Sequence, residues 1–234
     1  GITYHPDTNT LFGVINWPEA VVELTPKGKP KRWFRLRDSS DTEGIVAMAD
    51  RRLAVVEEGR ARIQIYSIPR EGNKLEPIGK PIQIDLPPGD RSPGNTGMEG
   101  LAFDPKEKCF YSVQEKTPRA LYRITVRGEG ENRTSRTEKL WTFTPHRAAL
   151  QDVAGCHFDV RTGHLLVLSH ESFCVVECTL EGKELGRLPI RHAPKPEGVT
   201  RDGDGNIYVV GEPNTFQIYS PKKSQSEDAS TNNG

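Results

Sequence analysis

Apolar residues in this chain fall in short runs rich in Val, Ile, Leu, Tyr and Phe, separated by clusters of Gly, Pro, Asn and Asp. A 3.6-residue stripe is nearly absent, so the pattern is that of strands and turns, not helices. The expected fold class is all-β.

Five segments superimpose: GITYHPDTNTLFGVINWPEAVVEL from Gly1, EGIVAMADRRLAVVEEGRARIQIYSI from Glu43, EGLAFDPKEKCFYSVQEKTPRALYRI from Glu99, AGCHFDVRTGHLLVLSHESFCVVECTL from Ala154 and EGVTRDGDGNIYVVGEPNTFQIYS from Glu197. Their shared glycines, Gly1, Gly44, Gly100, Gly155 and Gly198, lie 43, 56, 55 and 43 residues apart. That spacing fits the blade of a β-propeller, roughly 40 to 50 residues in four strands. A five-bladed β-propeller over residues 1–221 is expected, with six blades as the alternative, and with blades starting near 1, 43, 99, 154 and 197. Fourth strands are expected at Lys31–Leu36, Lys80–Leu86, Glu138–Thr144 and Glu184–Ile190. Nothing comparable follows Tyr219, where Pro221 breaks pairing and residues 222–234 read as a disordered polar tail. An N-terminal strand often completes the last blade of a closed propeller, whereas this chain starts inside its first repeat. The last blade is therefore expected to be incomplete, either because upstream sequence has been removed or because it has three strands only.

The repeat also aligns chemistry. Just before the glycine stand Glu43, Glu99, Ala154 and Glu197, and two residues earlier Asp41, Gly97, Asp152 and Lys195. Asp152 thus stands in for the acid that blade four lacks. A second ring follows 14 or 15 residues after the glycine: Asn16, Glu58, Glu115, His170 and Glu212, with Glu171 beside it. First strands line a propeller's channel, so these groups converge on one axis. Crowded carboxylates raise one another's pKa and need protons, basic partners or a cation. An all-oxygen set with an amide available suits calcium better than zinc. The candidate metal ligands are Glu43, Glu99, Asp152 and Glu197; Asn16, Glu58, Glu115, Glu171 and Glu212 are further ligands or line the channel mouth. The competing reading is structural, with these glutamates paired to arginines such as Arg60 and Arg119.

The 234 residues carry no net charge, about one third are apolar, and no apolar run approaches a membrane span. Balanced charge argues against a nucleic-acid partner, and the basic clusters Lys27 to Arg32 and Lys222-Lys223 read as solvated turns. The four cysteines, Cys109, Cys156, Cys174 and Cys178, have no zinc-ligand spacing and read as buried thiols. Ser169, His170 and Glu171 are consecutive, and a strand cannot bring all three together as a triad. His157 and His164 flank a turn and read as surface imidazoles. Asp202, Asp204 and Asn206 imitate an EF-hand loop, but the twelfth position is Pro213 where a bidentate Glu is required. They match the D-P-x-x-x turns of the other repeats.

With GITYHPDTNTLFGVINWPEAVVEL, MEGLAFD, QDVAGCHFD, LLVLSHES, PEGV and GNIYVVGEPNTF in order, the chain resembles the SdiA-regulated, YjiK-like family up to about Tyr219. The resemblance implies a five-bladed propeller related to NHL-type repeats, a calcium site near the channel, and an envelope location, periplasmic or secreted, with an N-terminal signal or anchor. By position, the family's acidic residues fall on Glu43, Glu99, Asp152 and Glu197, with Glu115, Glu171 and Glu212 on adjoining turns. GCHFD departs from the pattern at Cys156 and His157. The resemblance supplies no reaction. The expectation is a calcium-dependent scaffold whose rim binds an unidentified protein or small molecule. The alternative is a calcium-dependent hydrolase or lactonase, with Glu115 or His170 as base.

Overall fold

The computed structural model describes residues 1–90, 97–115 and 118–222, and these form five antiparallel sheets around one axis. Blade one comprises β1 (Ile2–His5), β2 (Thr10–Asn16), β3 (Glu19–Leu24) and β4 (Pro30–Arg35). Blade two has β5 (Thr42–Met48), β6 (Arg52–Glu57) and β7 (Arg62–Ser67), and two short pieces share its outer edge, β8 (Glu76–Pro77) and β9 (Ile82–Gln83). Blade three is β10 (Met98–Asp104), β11 (Cys109–Gln114), β12 (Ala120–Arg127) and β13 (Thr134–Thr142). Blade four is β14 (Gly155–Asp159), β15 (His164–Ser169), β16 (Cys174–Cys178) and β17 (Glu184–Pro189). Blade five has three strands among the described residues: β18 (Lys195–Arg201), β19 (Ile207–Glu212) and β20 (Thr215–Tyr219).

The five-bladed expectation holds, and so does the three-stranded last blade. One outer strand departs from its expected extent. Lys80–Leu86 yields only Ile82–Gln83, since the long connection through Pro69, Pro77, Pro81 and Pro87 interrupts pairing. Residues 223–234, most of the expected tail, lie outside the described residues.

Asp carboxylates shape the first hairpin of several blades. Asp104 Oδ1 accepts from the Lys106 and Glu107 amides at 2.8 and 3.1 Å. Asp202 Oδ1 accepts from the Asp204 and Asn206 amides, while its Oδ2 accepts from Asn206 Nδ2 and the Tyr208 hydroxyl. Four donors saturate Asp202, so the apparent EF-hand run is a turn lock.

The innermost strands β1, β5, β10, β14 and β18 pack against one another in cyclic order, and β18 meets β1 to close the ring. The repeat glycines make that approach possible. A Cβ on Gly44 would sit 2.7 Å from the Leu101 nitrogen, and one on Gly100 2.5 Å from the Cys156 nitrogen. On Gly198 it would sit 2.9 Å from the Ile2 nitrogen. No side chain fits between such backbones, which is why glycine marks the period.

Hydrophobic clusters fill the gaps between blades, each using one face of one sheet and the opposing face of the next. All four cysteines are free and buried, as expected. His157 differs from expectation: it is half-buried beside Thr200, and burial pulls its pKa down to about 4. Lys31 and Arg32 also differ, because both reach the buried Glu23, at 3.3 and 2.5 Å.

Candidate metal centre and axial cavity

Three of the repeat glutamates owe their direction to a backbone irregularity. The register of β10 with β11 skips Glu99, that of β18 with β19 skips Glu197, and that of β5 with β6 shifts between Thr42 and Ile45, around Glu43. Each is a β-bulge, which turns an extra side chain out of the ladder. The Glu-Gly pair is thus one device: the glycine lets the inner strands touch, and the bulged glutamate faces the axis.

These groups open into a cavity of about 870 Å³ on one face of the propeller. Its wall includes Asn16, Glu43, Glu99, Glu115, Asp152, His170, Glu197 and Glu212. Most of the residues expected at the mouth are therefore gathered there. Glu58 and Glu171 are not in the wall: Glu58 is buried and Glu171 exposed. The cavity narrows at the repeat glycines to a neck of about 10 Å³, also bounded by Glu99 and Glu197.

Asp41, Glu43 and Glu58 each place a carboxylate oxygen within 4.8 Å of the others. The Glu58 amide donates to the Asp41 carbonyl at 2.9 Å, which pins the β6–β7 hairpin against the loop entering β5. Asn16 Nδ2 donates to Glu43 Oε1 at 3.2 Å, and the Gly97 amide donates to Glu58 Oε1 at 2.6 Å. Asp41 was noted in the sequence as a flanking position and not as a ligand. The signal was its equivalence to Asp152, two residues before the ring position.

Electrostatics divide the mouth in two. Burial raises the Glu58 carboxyl to about 7, and Asp41, Glu43 and Glu115 add to the rise. Burial likewise pushes Glu99 to about 9, reinforced by Glu43, Glu58, Glu115 and Glu197. Glu43 is raised for the same first reason. In blade five the equivalent of Asp41 is Lys195, whose ammonium lies 3.1 Å from Glu197 and 2.8 Å from Glu212. The charge at that position is inverted, so the blade-five acids carry an internal cation. Asp152 is held differently again. It accepts from the Ser169 hydroxyl and from the Glu171 amide, the latter at 2.9 Å, and His170 Nδ1 stands 4.0 Å away. The arginine partners expected for the ring glutamates lie elsewhere: Arg60 reaches Glu57 at 3.2 Å, and Arg119 reaches the Leu150 and Gln151 carbonyls.

Around the acidic floor, the wall between blades five and one is apolar, with Val22, Leu24, Trp33, Val210 and Phe216, and Trp17 stands over it 82% exposed. The whole of this arrangement falls within residues 1–220, which match the model of the SdiA-regulated family. The chain belongs to the SdiA-regulated family. Solved structures resemble this member of the family in fold. A luciferin-regenerating enzyme is 16% identical, with a TM-score of 0.56 over 93% of this chain and 86% of that one. A gluconolactonase from Xanthomonas campestris is 20% identical, with a TM-score of 0.54 over 94% and 85%. A chain of a nidogen/laminin complex is 16% identical, with a TM-score of 0.54 over 90% and 71%. Enzymes and a chain of a nidogen/laminin complex thus share the fold of an SdiA-regulated chain, and the fold alone does not choose between them.

Proposed function

We propose that this chain is a calcium-binding propeller of the cell envelope whose acidic cavity face is a binding scaffold for a small molecule or a protein. The observation that carries the reading is the Asp41, Glu43 and Glu58 cluster with Glu99 beside it: one buried and three half-buried carboxylates, with no lysine or arginine paired to Glu99 among the described residues. The residues fit the ion. Asp41, Glu43, Glu58 and Glu99 would hold it, with the Asn16 amide positioning Glu43. Bound there, calcium would neutralise the acids that otherwise need protons. The envelope assignment is carried by the family resemblance, and a calcium site there would meet millimolar extracellular calcium. Glu197 and Glu212, held by Lys195, and Asp152, held by Ser169, are weaker candidates for the ion.

Calorimetric titration with calcium tests the reading, alongside thermal melting in excess calcium and in chelator. Saturable binding that raises the melting temperature, and that Glu99→Gln weakens, is the expected outcome. Coincident melts in both conditions sink the metal part. A second reading, a calcium-dependent lactone or ester hydrolase, is favoured by one observation: His170 lines the same cavity with the buried Asp152 behind it. Turnover across a lactone and ester panel, lost with His170→Gln, would favour it over the scaffold.

A further inference from the structure

The connection entering blade two, residues 36–41, brings Asp41 to the acidic cluster on a backbone that is strained at two places. Asp38 and Asp41 both take left-handed φ, 61° and 58°, a region that a residue other than glycine holds only where its surroundings fix it. What fixes it here is Glu57, the last residue of β6, which is fully buried. Glu57 Oε2 accepts from the Ser40 amide at 3.3 Å. Arg62, its cross-strand neighbour in β7, donates Nε and Nη2 to Oε1 at 3.1 and 2.9 Å, and Arg60 Nη1 donates to Oε2 at 3.2 Å. Both guanidinium groups also donate to the Asp38 carbonyl, Arg62 Nη2 at 3.0 Å. One carboxylate and two guanidinium groups thus grip the loop at Asp38 and Ser40, immediately before Asp41, through charge-assisted hydrogen bonds.

The residue before the second ring anchors the incoming connection in blades three and four as well. Gln114 Nε2 donates to the Asp90 carbonyl at 2.7 Å, and the Ser169 hydroxyl donates to the Asp152 carboxylate. Those anchors are neutral. Blade two alone has an acid at this position, where the other blades have Ile15, Gln114, Ser169 and Gly211. It is also the blade whose incoming connection supplies Asp41 and Glu43. We infer that Glu57, Arg60 and Arg62 are positioning residues for the calcium site, holding Asp41 beside Glu43 and Glu58 before an ion arrives. This role rests on the calcium reading above and adds the residues that preorganise the site. Ligands already in place lose less freedom on binding, and groups that orient metal ligands typically carry roughly 10- to 100-fold in affinity.

Charge and position predict opposite signs. Two arginines against one glutamate leave a net positive charge beside the cluster, so removing Arg62 would tighten calcium binding if its charge alone mattered and weakens it if Arg62 positions Asp41. Calorimetric titration of calcium into the whole protein reads the sign. Arg62→Met is expected to weaken binding about ten-fold and, in chelator, to speed hydrogen exchange at the Glu58 amide, which donates to the Asp41 carbonyl. Arg32→Met is the control, since Arg32 is as sheltered as Arg62 and pairs with the buried Glu23, which faces Phe12 in β2. It should lower the melting temperature comparably and leave the calcium isotherm unchanged. Should Arg62→Met fail to fold, Arg60→Met, whose side chain is 44% exposed, is expected to weaken binding a few-fold. Unchanged or tighter binding by the Arg62 or Arg60 variant, beside a normal isotherm for the unaltered protein, overturns the positioning role and leaves the calcium reading standing. So does an equal loss in Arg32→Met, which would mean general destabilisation. An unaltered protein that binds no calcium overturns both.

Discussion

The seam between blades three and four and the seam between blades five and one are built from the same repeat, yet they differ sharply. The first buries seventeen residues among those described, including Tyr111, Leu165, Val167, Cys156 and the edge-to-face pair Trp141 and Phe143. Among the described residues, the cluster at the second comprises buried Ile2, Leu11 and Tyr208, with Tyr4, Leu24, Val210 and Phe216 packed alongside. Much of the difference follows from blade five having three strands among the described residues, whereas the outer strand of blade three and the residue after it contribute Trp141 and Phe143 to the neighbouring blade. Among the described residues, the seam between blades five and one is joined chiefly by its innermost strands β18 and β1 and less by side-chain packing.

The comparison can be attacked in order of expected effect. Leu165→Ala should cost about 3 to 4 kcal/mol, as truncation of a fully buried leucine does, whereas Leu24→Ala at the weak seam should cost about 1 kcal/mol; denaturant unfolding of the two variants reads both. Equal losses would dissolve the distinction. Gly100→Ala, whose Cβ meets the Cys156 nitrogen, should cost about 3 kcal/mol through displaced inner strands, and solubility together with unfolding midpoints would show it.

The mouth gives a smaller, pH-dependent effect. Glu99 and Glu58 have folded pKa values of about 9 and about 7, above the ordinary 4.5. The folded state then binds more protons than the unfolded one, and their stabilising contribution is complete below about pH 4.5 and lost as pH rises toward 9. Melting temperature in chelator should fall across that window, and calcium should flatten the slope. Glu99→Gln should flatten it too without calcium. Smaller still, Lys195→Met should free Glu197 and Glu212 and raise apparent calcium affinity a few-fold by calorimetry; a decrease would show that the lysine organises the site.

Much of the fold was legible because its constraint is periodic. Gly44, Gly100, Gly155 and Gly198 recur where backbones touch, and the Asp-initiated turns at Asp104, Asp159 and Asp202 recur with them. Blade two's broken edge was not read, because Lys80–Leu86 has an acceptable apolar alternation at Ile82, Ile84 and Leu86 even though Pro81 stands within it and Pro77 and Pro87 flank it. The mouth was legible as a set of residues and not as a partition. Glu43, Glu99 and Glu197 occupy equivalent positions in the repeat, yet their neighbours differ: Asp41 and Glu58 crowd the first two, and Lys195 pairs the third. Such differences arise between blades, where a repeat alignment carries no information. Glu171 was displaced from the cavity for a related reason, since the turn uses its amide to hold Asp152.

The glycine neck sets how anything reaches this cavity. At about 10 Å³ it has room for roughly one water, so the space among the repeat glycines is far tighter than the cavity above it. A ligand larger than a water meets the acidic groups from the wide cavity, past Trp17 and Phe216.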